Sequence, residues 1–147
     1  MSIHPFLRLS CAHHTFTVFA APGTTNAFGF AASPANYIYP GKRPQSSISS
    51  SIAEDLNTGE FKVATGSAGG SRIITATLQN LHNTLDQGLS PNASVHTSRW
   101  HDQLTNVTYF ELPAPANGLP GVNNRTVNFL ASLGCTSNPF LFPSLRS

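Results

Sequence analysis

Two short stretches carry the residue types best suited to chemistry. In Ser67-Ala68-Gly69-Gly70-Ser71-Arg72-Ile73-Ile74, a glycine pair opens an apolar, helix-like run. Lacking a Cβ, Gly69 and Gly70 let the backbone turn sharply and approach a ligand atom closely. N–H groups at such a helix start face the positive end of the dipole, a place for an anion or for the oxyanion of an acyl transfer. Upstream, Pro40-Gly41-Lys42-Arg43-Pro44-Gln45-Ser46-Ser47-Ile48-Ser49 is a rigid, cationic turn running into adjacent hydroxyls. In an extended strand, Ser46 and Ser47 would point to opposite faces, so both reach one carboxylate only where the backbone is irregular. The turn after Pro44 supplies that irregularity. Taken singly, each stretch also fits a plain reading: a flexible loop before a helix, and a serine-rich linker.

The elements that must position these residues follow from pattern. Residues 71–87 predict the clearest helix, with Ile74, Leu78, Leu81 and Leu85 on one stripe and Gly88 as its stop. Residues 47–53 and 61–65 predict a β-hairpin around Asp55-Leu56-Asn57-Thr58-Gly59, whose second strand delivers the chain to the glycine pair. Both stretches then lie at one end of that hairpin. Between Pro22 and Pro44, Gly, Pro and Asn punctuate an irregular crossing anchored by Phe28, Phe30, Tyr37 and Tyr39. Ser90 and Pro91 signal a short helix to about Ser98, residues 106–112 a strand, and residues 124–133 a helix stopped by Gly134. The alternation indicates a two-layer α/β piece, α/β or α+β in class.

Together and in this order, PGKRPQSSIS (residues 40–49) and GSAGGSRIITATLQN (residues 66–80) resemble the C-terminal part of the small subunit of a γ-glutamyltransferase, also called glutathione hydrolase. The likeness is strongest to fungal members. NAFGFAASPANYIYPGKRP, LDQGLSP and SRWHDQL belong to the same resemblance, which covers roughly residues 22–133. It implies a partial αββα sandwich of the N-terminal nucleophile hydrolase type. It further implies a self-cleaving precursor whose new N-terminal threonine attacks the γ-glutamyl amide of glutathione, forming an ester that passes to water or to an amino acid or peptide acceptor. Carried over by position, Ser46 and Ser47 would bind the α-carboxylate of the γ-glutamyl group, and the N–H groups of Gly69 and Gly70 would form the oxyanion hole. Glutathione and other γ-glutamyl compounds are the expected ligands. The large subunit and the N-terminal part of the small subunit are the expected partners, and vacuolar, cell-surface or extracellular locations are those the family suggests.

The sequence also departs from that pattern. The family's nucleophilic threonine lies several dozen residues before the serine pair, and no matching motif precedes Ser46; Cys11-Ala12-His13-His14-Thr15-Phe16-Thr17-Val18 has the wrong spacing. The acidic residue that pairs with the substrate's α-amino group has no counterpart in Thr17-Val18-Phe19-Ala20-Ala21-Pro22, and Ser50 stands where the family has proline. The expectation is therefore a leader outside the family pattern over residues 1–21, a family segment over 22–136, and a tail outside the pattern over 137–147. Such a chain acts only when complemented by the missing half. One alternative is a non-catalytic remnant or carboxylate-binding module. Another is an acyl-transfer enzyme with Ser46 or Ser47 as nucleophile, for which no histidine base stands in a recognisable motif.

Composition narrows the classes. Only 10% of the 147 residues are charged, against about a quarter in ordinary soluble domains, as suits a piece that packs against other protein. The net charge of +2, with its basic residues scattered, argues against nucleic acid or an anionic membrane. No apolar run approaches a membrane span. Cys11 and Cys135, far apart, are expected as free thiols. Asn92-Ala93-Ser94, Asn106-Val107-Thr108 and Asn124-Arg125-Thr126 are glycosylation triplets, usable only in a secretory compartment. His13-His14 lacks a third ligand at useful spacing, so no metal or other cofactor is expected, and His101 beside Asp102 is expected to pack or bond structurally.

Overall fold

The computed structural model describes residues 20 to 140 apart from Ala27 and Thr105. Cys11 and the His13-His14 pair therefore lie outside the described residues. Five strands and three helices follow in chain order: β1 (Ser51–Glu54), β2 (Phe61–Thr65), α1 (Arg72–Leu81), α2 (Pro91–Val95), β3 (Trp100–Asp102), β4 (Val107–Glu111), α3 (Asn124–Ser132) and β5 (Thr136–Phe140). Strands β1 and β2 form an antiparallel hairpin with Ser51 opposite Thr65. Its tip turns through Gly59 at φ 71°, and the Gly59 N–H donates to the Asp55 carbonyl at 2.8 Å. The other sheet runs β3-β4-β5, antiparallel between β3 and β4 and parallel between β4 and β5.

The hairpin is shorter than the sequence indicates. Its first strand begins at Ser51 rather than residue 47, because Ser47 and Ser49 are held by other bonds: the Ser49 hydroxyl donates to the Ser47 carbonyl and the Ser51 hydroxyl to the Ser49 carbonyl, each at 2.9 Å. Such local side-chain bonding competes with a strand ladder. The main helix is likewise divided. It is α-helical to Leu81, and His82–Asp86 then form one widened π-turn, closed by the Gln87 N–H on the His82 carbonyl at 3.1 Å. The Nδ1 of His82 lies 2.8 Å from Asp86 Oδ2 within that turn, and Gly88, at φ 67°, ends it. Helix α2 begins at Ser90, whose hydroxyl accepts from the Ala93 N–H, and α3 begins at Asn123, whose side chain accepts from the Arg125 N–H.

The largest surprise is the orientation of α1. Ile74, Leu78 and Leu85 of the apolar stripe are exposed, at 54%, 63% and 48%, while Ala76, Thr77 and Asn80 are buried. The face turned to β3 is polar. Ser71, Thr75 and Gln79, each four residues apart and so on one side of the helix, bond respectively to the Gln103 side chain, to the His101 ring and to the Trp100 backbone. Among the described residues, Ala76 and Phe110 are the only buried apolar ones. Hydrogen bonding rather than apolar burial sets the position of α1.

Candidate functional site

The two candidate stretches meet. The Ser47 hydroxyl donates to the Gly70 carbonyl at 2.9 Å, across 23 residues of sequence. Residues 46–49 lie outside any strand, as adjacent hydroxyls facing one ligand require. The Ser46 oxygen accepts from the Ile48 N–H at 3.1 Å, which leaves the Ser46 proton to donate outward. Ser47 has one proton and gives it to Gly70. The pair is thus asymmetric: Ser46 is exposed with its donor available, and Ser47 is half-buried with its donor engaged.

Gly69 and Gly70 adopt φ 128° and 63°, conformations that disfavour any side chain. At Gly70 a Cβ would also lie 2.2 Å from the Phe28 ring, so that ring rests directly on the glycine. The Arg72 and Ile73 N–H groups turn back to the Gly69 and Gly70 carbonyls at 3.3 and 3.2 Å. Among the described residues, the N–H groups of Gly69, Gly70 and Ser71 donate to no protein atom. Ser71 does not cap the helix with its side chain. Its hydroxyl reaches instead to Gln103 Oε1 at 2.9 Å, and the donors left to an anion are the N–H groups of Gly69, Gly70 and Ser71 just ahead of α1.

Behind this junction runs a directed hydrogen-bond chain. Gln103, 6% exposed, donates through Nε2 to the Phe28 carbonyl at 2.7 Å. That bond fixes its amide orientation, because a carbonyl only accepts, and Oε1 then accepts from both Ser71 and His101 Nε2. His101 therefore carries its proton on Nε2. Its Nδ1 meets the Thr75 hydroxyl at 2.8 Å, and both ring nitrogens are engaged. Phe28, the start of α1 and β3 are joined by this one glutamine, and through Phe28 Gly70 is covered. The Arg72 guanidinium, 5.0 Å above the Tyr109 ring, adds a second attachment of the helix start to β4.

Charge stabilises the same wall. Glu111, its side chain 1% exposed, takes the Arg99 Nη2 on Oε1 at 2.9 Å, and the Arg99 Nε and backbone N–H on Oε2 at 3.3 and 2.8 Å. At the β3–β4 turn, the Leu104 N–H and the Thr108 hydroxyl each donate to Asp102 at 2.8 Å. Those bonds, with His101 nearby, hold the Asp102 carboxyl below its ordinary range. In the hairpin tip, the Asn57 and Thr58 N–H groups do the same for Asp55. Among the described residues, no group of three His, Cys, Asp or Glu side chains is placed to hold a metal ion, and Cys135 is a free thiol.

The chain as a whole has known relatives. Residues 12–138 match the family model described as Gamma-glutamyltranspeptidase. The chain belongs to the gamma-glutamyltranspeptidase family. It is 39% identical over 115 residues to the glutathione hydrolase proenzyme of Arthroderma benhamiae, covering 78% of this chain and 18% of that one. It is 45% identical over 94 residues to glutathione hydrolase proenzyme 1 of Schizosaccharomyces pombe, covering 63% and 15%. Among solved structures, a mutant gamma-glutamyltranspeptidase of Helicobacter pylori aligns with a TM-score of 0.69 at 30% identity, over 83% of this chain and 62% of that one. The mixed α/β architecture thus follows gamma-glutamyltranspeptidase structures over most of its length. The chain spans less than a fifth of the curated relatives it matches.

Within this gamma-glutamyltranspeptidase segment, all four sequence-predicted residues fall in one place: Ser46 and Ser47 on the irregular approach to β1, Gly69 and Gly70 on the approach to α1. The sequence marked Phe28 only as an apolar anchor and Gln103 only as part of SRWHDQL, with no sign that these two residues, 75 apart, meet in the fold. One signal was available. The four-residue spacing of Ser71, Thr75 and Gln79 marks a polar helix face, which the leucine stripe on the other side obscured.

Proposed function

We propose that this chain forms the part of a γ-glutamyl-transferring enzyme that recognises the glutamyl carboxylate and stabilises the oxyanion. The observation that supports the reading is the Ser47–Gly70 hydrogen bond, which brings the serine pair against a glycine pair whose N–H groups donate to no protein atom among the described residues. In this reading the nucleophilic threonine, activated by its own α-amine, comes from sequence outside the chain and attacks the γ-carbonyl of glutathione. As the carbonyl oxygen gains charge, the Gly69 and Gly70 N–H groups bind it, each contributing about 3 kcal/mol as in other acyl-transfer enzymes. Collapse of the intermediate expels the amine of cysteinylglycine and leaves a γ-glutamyl ester, which water or an acceptor amine then resolves.

The serine asymmetry adds a step. Ser46 makes the first bond to an arriving α-carboxylate, and Ser47 joins it by turning its proton away from the Gly70 carbonyl. Carboxylate capture is therefore coupled to the peptide plane that opens α1. A serine nucleophile at 46 or 47 is disfavoured, because His101 spends both ring nitrogens on Thr75 and Gln103. The exposed Ile74, Leu78 and Leu85 are the surface that the rest of such an enzyme would cover.

Release of chromophore from a γ-glutamyl anilide tests the reading in two steps. The purified chain alone releases none. A chimera of the Arthroderma proenzyme carrying residues 22–136 of this chain in place of its matching segment turns the substrate over, and S46A/S47A in that chimera raises KM by more than tenfold. Turnover by the isolated chain, or a chimera indifferent to both serines, would contradict the assignment.

A further inference from the structure

A concavity lies immediately before the serine pair in the chain. It encloses about 280 Å³ and is lined by Ser33, Asn36, Lys42, Arg43 and Gln45 among others. Two turns frame it. Pro34–Asn36 form a single 3-10 turn closed by the Tyr37 N–H on the Pro34 carbonyl at 3.2 Å. Residues 39–42 form the other, closed by the Lys42 N–H on the Tyr39 carbonyl at 3.0 Å, with Gly41 at φ 78°. The Gln45 N–H donates to Asn36 Oδ1 at 3.2 Å and ties the two walls together. Two backbone turns and one side-chain bond set the shape.

Its charge is one-sided. Among the described residues, no carboxylate lines the cavity. Among the described residues, neither Lys42 nor Arg43 forms an ion pair, whereas Lys62, His82 and Arg99 each face a carboxylate. Lys42 sits 5.9 Å over the Tyr39 ring, which limits where its ammonium can go. Two cations that form no ion pair among the described residues line the hollow, with amide and hydroxyl side chains beside them. That combination favours a small oxyanion: the guanidinium fork matches a planar carboxylate or a phosphate face, and the ammonium adds a point charge.

We propose that this hollow is an anion subsite distinct from the serine–glycine site, taking a carboxylate or phosphate group of a small molecule. The inference does not depend on the γ-glutamyl reading. Where the γ-glutamyl reading also holds, one short ligand with two anionic ends can span both sites, because Arg43 and Ser46 are three residues apart, at most about 11 Å of chain. The hollow would then select for such ligands over mono-anions.

Amide chemical shifts of the isotopically labelled full chain decide the matter. Sodium phosphate, sodium acetate and glycylglycine are titrated separately at constant ionic strength. Saturable shifts at residues 33–45 are expected for at least one of them, and which one responds there identifies the oxyanion. K42Q/R43Q should weaken that binding by about tenfold or more, while K42R/R43K retains it and S46A/S47A leaves it unchanged. If the double glutamine variant loses its fold, the single variants serve, each removing one charge. No saturable shift at residues 33–45 with any of the three probes, or equal affinity after charge removal, overturns the proposal. Loss of binding on S46A/S47A overturns its independence from the serine site, whereas failure of the γ-glutamyl reading leaves this result untouched.

Discussion

The two faces of α1 invert the usual arrangement of a surface helix. Its inner face meets β3 through Ser71, Thr75 and Gln79, each hydrogen-bonded to a neighbour in the span Trp100 to Gln103. Its outer face presents Ile74 and Leu78 to solvent. Apolar packing tolerates small slides; a set of directed hydrogen bonds does not. The face that must fix the helix start, and with it the glycine pair, is built from the directional interaction. The face left to apolar contact is the one free of that duty, and it suits a broad docking surface.

The polar wall breaks most severely at its buried ion pair. Glu111→Ala removes the buried carboxylate that takes three Arg99 N–H groups, and a loss of about 3 kcal/mol is expected, read as a lowered denaturation midpoint. Next is Gly70→Ala, which meets both the positive φ and the Phe28 ring. It should cost about 2 kcal/mol and shift Phe28 resonances while sparing the β3-β4-β5 sheet. Gln103→Leu keeps the bulk of the side chain and removes its bonds, leaving the Phe28 carbonyl and the Ser71 hydroxyl without a partner there. About 1.5 kcal/mol of destabilisation follows, with faster amide exchange at residues 69–73 as the distinguishing readout.

Asp102 gives a smaller, pH-dependent effect. Its carboxyl is held low by Leu104 and Thr108, so the stabilisation is complete above the unfolded carboxyl value near about 4. It disappears as pH falls through the lower, folded value. Asp102→Asn should therefore flatten the acid limb of a stability–pH curve, with the difference from the parent shrinking at low pH. Smallest of all is Leu78→Ser on the outer face, expected within about 0.5 kcal/mol of the parent and visible chiefly as reduced self-association in sedimentation. A large loss of stability there would mean that the apolar face is already covered.

How much of this was legible depends on what each feature is made of. The serine and glycine pairs announce themselves by residue type, and the hairpin tip by Gly59, because positive φ has few alternatives. The stripe of Ile74 and Leu78 predicted a helix correctly but not which way it faces, since periodicity carries no information about the partner surface. Strand β3 spans three residues, too few to show alternation. β5 contains Pro139, which argues against a strand in sequence, yet β5 lies at the edge of its sheet, where a missing N–H is tolerated. The Phe28–Gln103 bond joins residues with no local signature.

The joint serine–glycine site can be measured directly by titrating the labelled chain with glutathione and following the amides of both stretches. Residues 46–48 and residues 69–71 should shift together along one binding curve, and S46A/S47A should abolish both responses. Movement of one stretch without the other, movement of neither, or a response unchanged in the double variant would contradict a shared γ-glutamyl site.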